Sequence, residues 1–359
     1  MEGLVVNNNF WKGKRVLVTG HTGFKGGWLC LWLQKMGAHV TGYALNPPTK
    51  PSLFDIAAVG ESMESVIGNV CDFSLVSKCI TDCEPEIIIH LAAQSLVRAS
   101  YANPVETYST NVMGTVNLLE AVRENGKAKV LLVVTSDKCY ENKEWNWGYR
   151  ENDSLGGYDP YSNSKACAEL VTSAYRNSYF KALEHILAIA TARAGNVIGG
   201  GDWAEDRLVS DCIRALLAGD KIIVRSPQAI RPWQHVLEPL SGYLCLSEKM
   251  YEDSKGFSES WNFGPDDKDA REVSWLVERI CSEWGEGTKY EIDTKEKPHE
   301  ANYLKLDCSK AIRRLNWHPR WNLEKAIDAT IKWTKAYRDG LNMREICMKQ
   351  IDEYMAIKS

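Results

Sequence analysis

The chain has 359 residues, of which 44% are hydrophobic and 25% charged. That is enough apolar material for one large domain or two lobes with a real core, and it excludes a peptide hormone, a small zinc module or a wholly disordered chain. With 43 basic and 47 acidic side chains the formal charge is −4, so nothing global points to nucleic acid or an anionic membrane as partner.

In chain order, residues 14–19 form a short β-branched run ending in Gly20, and residues 24–36 follow with helical periodicity up to Gly37. Further strands are expected at 39–44, 86–91, 129–135 and 185–191, and helices at 111–125 and 162–180. The strand runs are almost continuously apolar, which suits burial on both faces. The expected fold class is therefore α/β, a Rossmann-type doubly wound parallel sheet covered by helices. After about residue 191 Gly199, Gly200, Gly201, Pro227, Pro232, Pro239 and Pro265 break the chain into short pieces. Trp203, Trp233, Trp261, Trp275 and Trp284 add bulky apolar surface there. The expectation is a nucleotide-binding domain over 1–190 and a smaller mixed α/β substrate lobe mainly over 191–359, with the chain crossing between them. The eleven cysteines include no Cys-x-x-Cys pair and read as reduced thiols, with no zinc site. The start of the chain lacks a basic segment followed by a long apolar one, and no run of about 18 apolar residues occurs, so a cytoplasmic protein with no membrane span is expected.

Two constellations carry chemistry. Gly20, Gly23 and Gly26 are spaced Gly-x-x-Gly-x-x-Gly where the first strand hands over to a helix. Glycine there permits a tight turn and close backbone approach, and the helix N-terminus offers free N–H groups to a pyrophosphate, so a dinucleotide is favoured over a merely structural turn. The end of the second strand, residues 40–46, carries neither the acid that reads a free ribose nor a basic residue for a 2′-phosphate. Second, Tyr161 and Lys165 lie at i and i+4, on one face of a helix, so an ammonium can sit beside a phenol. A phenol normally titrates near 10, and lowering it to neutrality takes about 4 kcal/mol, which a lysine and a positive nicotinamide together can supply. Upstream, Thr135, Ser136, Asp137 and Lys138 fall at the carboxyl end of a strand, where ligands bind in an open parallel sheet. Ser136 can bond a substrate hydroxyl, and Asp137 and Lys138 form an acid/base pair; the bland reading is a turn or helix cap. His21 and His235 read as structural, and nothing demands a metal.

The loop from Thr19 to Gly26, the Tyr161/Lys165 pair, His90-Leu-Ala-Ala93, Asn111-Val-Met-Gly114-Thr115, Arg193-Ala-Gly-Asn196, Arg231-Pro-Trp-Gln-His235 and Asn262-Phe-Gly-Pro265 resemble the extended short-chain dehydrogenase/reductase family acting on nucleotide sugars. Ser136-Asp137-Lys138 and the run from Gly199 to Trp203 resemble its dehydratase branch. The resemblance implies oxidation of the sugar at C4 with Tyr161 taking the hydroxyl proton, loss of water across C5 and C6 from the acidified ketone, and return of the hydride to C6. Because the cofactor is regenerated in each turnover, it implies NAD. It assigns Asp137 as the acid for the departing C6 hydroxyl and Lys138 as the C5 partner, where sister enzymes place a glutamate. A cation accepts no proton, so Lys138 is either neutral or stabilises the enolate electrostatically.

For the cofactor the resemblance assigns Gly20, Thr22, Gly23, Phe24, Lys25 and Gly26 to the pyrophosphate end and Asn69 and Val70 to adenine. It puts Leu91, Ala92 and Ala93 on the adenosine and ribose side and Thr135, Tyr161 and Lys165 near the nicotinamide. For a CDP-sugar it assigns Gln94 and Asn196 to the sugar and nucleotide, and Arg193, Arg207 and Arg231 as diphosphate donors. Trp203 and Trp233 read as packing. Pairing through residues 99–125 and 162–179 implies a homodimer or homotetramer. Two rivals remain: a nucleotide-sugar 4-epimerase, which needs Tyr161 and Lys165 but not the Asp137/Lys138 pair, and a noncatalytic NAD-sensing protein, which predicts a damaged Tyr-x-x-x-Lys where this one is intact.

Overall fold

The computed structural model describes residues 6–180, 187–285, 287–293 and 303–357. Its centre is a seven-stranded sheet: β1 (Arg15–Thr19), β2 (His39–Ala44), β3 (Glu64–Ile67), β4 (Ile87–His90), β5 (Val130–Val134), β6 (Ala188–Arg193) and β7 (Ser260–Asn262). The spatial order is β7-β6-β5-β4-β1-β2-β3, and every pairing is parallel. The strands that read as continuous apolar runs are the inner ones. Every residue of β4 and β5 is buried, because helices cover both faces. β1 lies between β4 and β2, so the winding reverses there and the loops after β1 and β4 diverge to leave a crevice at their carboxyl ends.

The expected elements appear with small shifts at their ends. Helix α1 (Phe24–Lys35) starts directly after the glycine loop. The stretch 111–125 lies in a π turn, Ser109–Met113, that runs into α3 (Gly114–Asn125), which follows α2 (Phe73–Cys83). The stretch 162–180 begins earlier, at Pro160, in α4 (Pro160–Tyr175). Asp159 caps it by accepting from Ser162 N at 2.9 Å, and proline at the first turn sacrifices no helical hydrogen bond. Strand β6 runs Ala188–Arg193; residue 185, part of the expected strand, lies outside the described residues.

The sheet does not stop near residue 190. The chain leaves it for two-stranded ladders and α5 (Leu208–Ala218), which overhang the carboxyl ends of the strands. It returns through α6 (Leu237–Glu252), which packs on β5 and β6, and adds β7. Three later helices, α7 (Val273–Trp284), α8 (Leu323–Arg338) and α9 (Met343–Met355), complete the outer layers. The glycine run after β6 fits into this packing. A side chain at Gly200 would meet the Trp333 ring at 2.0 Å, and Gly200 O accepts from Trp28 Nε1 at 2.9 Å, which ties α1 to the second half of the chain. Trp203 and Trp233 are buried in the same core and also line the cleft described below. All eleven cysteines are free thiols. No described helix is long and apolar enough to cross a membrane.

Candidate active site

A cleft of about 770 Å³ runs along the carboxyl ends of β1, β4 and β5 under the overhanging segments. At one end is the glycine loop. Gly20 adopts φ +79°, and a side chain on it would meet Ala92 N at 2.8 Å; one on Gly26 would lie 2.1 Å from Gly20 O. The loop is thus closed on itself by bare backbone, with Gly23 N donating to Gly20 O at 3.1 Å, and Gly20, Thr22, Gly23, Phe24, Lys25 and Gly26 line the cleft. Thr22 Oγ1 donates to Leu45 O at 2.8 Å, which binds the loop to the end of β2. Asn69 and Val70 form the next wall. Asn69 O accepts from Tyr43 Oη at 3.0 Å, and Gly114 makes room for Val70, whose Cγ2 would be 2.6 Å from a side chain there. Leu91, Ala92 and Ala93 follow β4, with Leu91 N and Ala92 N each donating to Thr19 Oγ1 at 3.2 Å.

At the catalytic end, Thr135, Ser136, Asp137 and Lys138 come off β5 and meet Tyr161 and Lys165 of α4 in the same cleft. Ser136 caps the turn Asp137–Cys139: its hydroxyl accepts from Lys138 N at 3.2 Å and donates to Asp137 Oδ1 at 3.0 Å. Burial pushes the Tyr161 phenol up to about 12, although the nearby Ser136 hydroxyl opposes it; Asp137 raises it further and Arg207 lowers it. Burial also lowers Lys165 to about 8, against the pull of Glu169, and its Nζ donates to Val134 O at 3.3 Å. Lys25 reaches this end too, lowered to about 8 by burial and by the charges of Arg207 and Lys165, with Asp137 and Asp202 opposing. Asp137 Oδ2 packs against Gly195, where an added Cβ would lie 1.8 Å away, so only glycine fits beside that carboxylate.

The substrate residues divide. Asn196 lines the cleft in a left-handed conformation, φ +35°, with Gln234 N donating to its carbonyl at 3.2 Å; its buried Nδ2 has no partner among the described residues. Arg207 lines the cleft, held by Asp202 at 2.9 Å and Ser95 at 2.8 Å, and Arg231 lines it further along. Gln94 forms part of the wall, but its amide is committed to its own loop: Nε2 donates to Leu96 O and Thr107 Oγ1, and Oε1 accepts from Leu96 N. Arg193 corrects the sequence reading. It lies below the cleft, 2% exposed, paired with Glu169 at 2.7 Å and bonded to Tyr140 Oη at 2.7 Å, and it is not among the residues lining the cleft. Ser95, Asp202 and Gly195 were not singled out from the sequence. Asp202 and Gly195 sit inside motifs that were noted, whereas Ser95 acts only through a contact distant in sequence.

This arrangement, a Rossmann sheet with a glycine loop, a Tyr161/Lys165 pair and an acid beside it, defines a nucleotide-binding oxidoreductase-type centre. The chain matches the family model described as GDP-mannose 4,6 dehydratase over residues 17–330, and it belongs to that family. It is 54% identical to the CDP-glucose 4,6-dehydratase of Salmonella typhimurium, over 98% of this chain and 99% of that protein. It is 28% identical to a dTDP-glucose 4,6-dehydratase of Xanthomonas campestris, over 88% of this chain and 92% of the other. Among solved structures, UDP-glucose 4-epimerase from Thermotoga maritima superposes with TM-score 0.79 at 20% identity, covering 90% of this chain and 99% of that one. A dTDP-glucose 4,6-dehydratase from Streptomyces venezuelae, with NAD bound, superposes at 0.78 and 21% identity, covering 91% and 98%. These two share the fold.

Proposed function

We propose that the chain is a lyase, a nucleotide-sugar 4,6-dehydratase that uses NAD to convert CDP-glucose to CDP-4-keto-6-deoxyglucose and water. The observation that carries this reading is the presence of Asp137 and Lys138 in the same cleft as Tyr161 and Lys165. The Tyr161/Lys165 pair alone serves an epimerase; only elimination across C5 and C6 needs a further acid and a C5 partner. The choice of CDP-glucose follows the relative at 54% identity.

The residues fit a dinucleotide, since bare backbone at Gly20 and Gly26 leaves the first turn of α1 open to a pyrophosphate. NAD bound there supplies the acceptor and later the donor of the hydride, and a positive charge near Tyr161. Tyr161 takes the C4 hydroxyl proton. Bringing its phenol from about 12 to neutrality requires about 7 kcal/mol of preferential stabilisation of the phenolate; Ser136 and Arg207 already act in that direction, and the ammonium of Lys165, one turn further along α4, is the added cation of the pair. Asp137 protonates the departing C6 oxygen. Lys138 is the C5 partner: its free amine takes the C5 proton, holds it while the enolate loses the C6 oxygen, and returns it to C5 after the hydride reaches C6. Asn196, Arg207 and Arg231 hold the nucleotide diphosphate.

In this reading residues 1–190 bind the dinucleotide, and 191–359 mainly bind the substrate. Val105, Met113, Leu170 and Tyr179 are exposed apolar side chains on the segments expected to pair in a homodimer. A biosynthetic role in deoxysugar formation fits a cytoplasmic enzyme. The test is to incubate the pure protein with NAD and, separately, CDP-, dTDP- and GDP-glucose. Loss of one water from CDP-glucose by mass is expected; a mass-neutral product would make the chain an epimerase.

A further inference from the structure

Proton bookkeeping in the proposed reaction leaves a mismatch. The C4 hydroxyl gives a proton to Tyr161, and the C6 oxygen departs as water with a proton from Asp137. The proton removed from C5 is later restored there, and the hydride lost at C4 reappears at C6. Each turnover therefore ends with one proton too many on Tyr161 and one too few on Asp137. Both groups are largely buried at the floor of the cleft, Tyr161 8% and Asp137 2% exposed, so the shortest path between them runs through the protein.

The geometry points to Ser136 as the bridge that carries the Tyr161 proton to Asp137, so that oxidation at C4 arms the acid for elimination at C6. This rests on the dehydratase reading. The Ser136 hydroxyl shares the cleft with the Tyr161 phenol, close enough to favour its phenolate form, and lies 3.0 Å from Asp137 Oδ1. It is held in that place as the cap of the turn Asp137–Cys139, with Lys138 N donating to it at 3.2 Å. The transfer balances. The O–H bond of Tyr161 breaks as its proton passes to Ser136 Oγ, the Ser136 proton passes to Asp137 Oδ1, and Asp137 delivers a proton to the leaving oxygen. Tyr161 is left as phenolate and Ser136 as a hydroxyl, both ready for the next substrate. No oxidant or further acid is consumed. The direction is favourable because the final acceptor is an incipient hydroxide, whose conjugate acid, water, has a pKa near 15.7, above the phenol at about 12. The order also fits, since Tyr161 gains its proton in the step immediately before Asp137 needs one.

Ser136→Ala separates this role from simple binding of the C4 hydroxyl. With the bridge removed, elimination slows at least tenfold more than oxidation. In rapid-quench samples the variant then accumulates the 4-ketone that still holds its C6 oxygen, identified by mass, while the wild type does not. Small buffer acids restore the second step in proportion to their concentration, and Ser136→Thr, which keeps the hydroxyl, restores partition to near wild type. If Ser136→Ala slows substrate loss with no build-up of ketone and no response to buffer, the hydroxyl serves only C4 oxidation and the relay is wrong. A wild type that releases no water would instead sink the dehydratase reading itself.

Discussion

Arg193 and Arg207 lie on either side of the cleft floor and show how one residue type divides between structure and function. Arg193 spends its donors inside the protein, on Glu169, Tyr140 and Glu151 O, with the Tyr140 ring 4.8 Å from its guanidinium carbon. Glu169 is equally occupied, accepting from Thr135, Thr191, Arg193 and Ser260. Arg207 is pinned by Asp202 and Ser95, yet it still lines the cleft. A diphosphate can be met only by a guanidinium that faces the ligand, and burial, not the surrounding motif, decides which arginine does so.

The largest expected effect comes from breaking the buried pair. Arg193→Met leaves the buried Glu169 carboxylate with three hydroxyl donors but no cation to balance its charge, and urea unfolding should show a loss of about 3–5 kcal/mol. The double variant Arg193→Met, Glu169→Met should recover much of that, because it removes both charges. Should Arg193→Met instead keep wild-type stability while raising the KM for the sugar nucleotide, the contrast with Arg207 collapses and Arg193 returns to the substrate site.

A smaller effect separates the cleft from the protein below it by charge. Lys165 is held near 8 by burial, against 10.5 for the free side chain. The unfolded chain therefore binds its proton more tightly than the folded one. The resulting cost is fully present below pH 8, on the order of 3 kcal/mol, and is relieved as pH rises from about 8 to 10.5. Lys165→Met should accordingly stabilise the nucleotide-free protein at pH 7, with the advantage over wild type shrinking toward pH 10.5, as read from paired urea titrations. An advantage independent of pH would mean that Lys165 carries no such burden and that the site is not strained for function.

The same division explains what was legible in the sequence. The inner strands could be read because burial on both faces leaves a continuous apolar run, as in Ile87-Ile88-Ile89. The edge strand Glu64–Ile67 could not, being mostly exposed and half polar, and Ser260–Asn262 is too short to show a period. In the site, Gly20, Gly26, Tyr161 and Lys165 were legible because their chemistry fixes local spacing. The fates of Arg193 and Gln94 were not. The Arg193 partner, Glu169, sits one helical turn beyond Lys165, a spacing that gives no sign that the intervening strand brings an arginine to it. The Gln94 amide is used up by contacts with Leu96 and Thr107 that only the folded loop creates.

Arg207→Lys is the mildest test and the most specific. Arg207 holds both oxygens of Asp202 through one guanidinium nitrogen and Ser95 through another. An ammonium keeps the charge but not this planar fork, so it cannot hold both anchors and still present a flat donor face to a diphosphate. Because the side chain is about one-third exposed, its ion pair contributes little to folding, and the change in stability should stay within about 0.5 kcal/mol. The loss should appear as about a tenfold rise in KM for the sugar nucleotide, with kcat nearly unchanged, since a diphosphate contact made equally in ground and transition states affects binding alone. A fall in kcat at constant KM would move Arg207 from the diphosphate to the reacting sugar. That result would also fit its electrostatic contact with Tyr161.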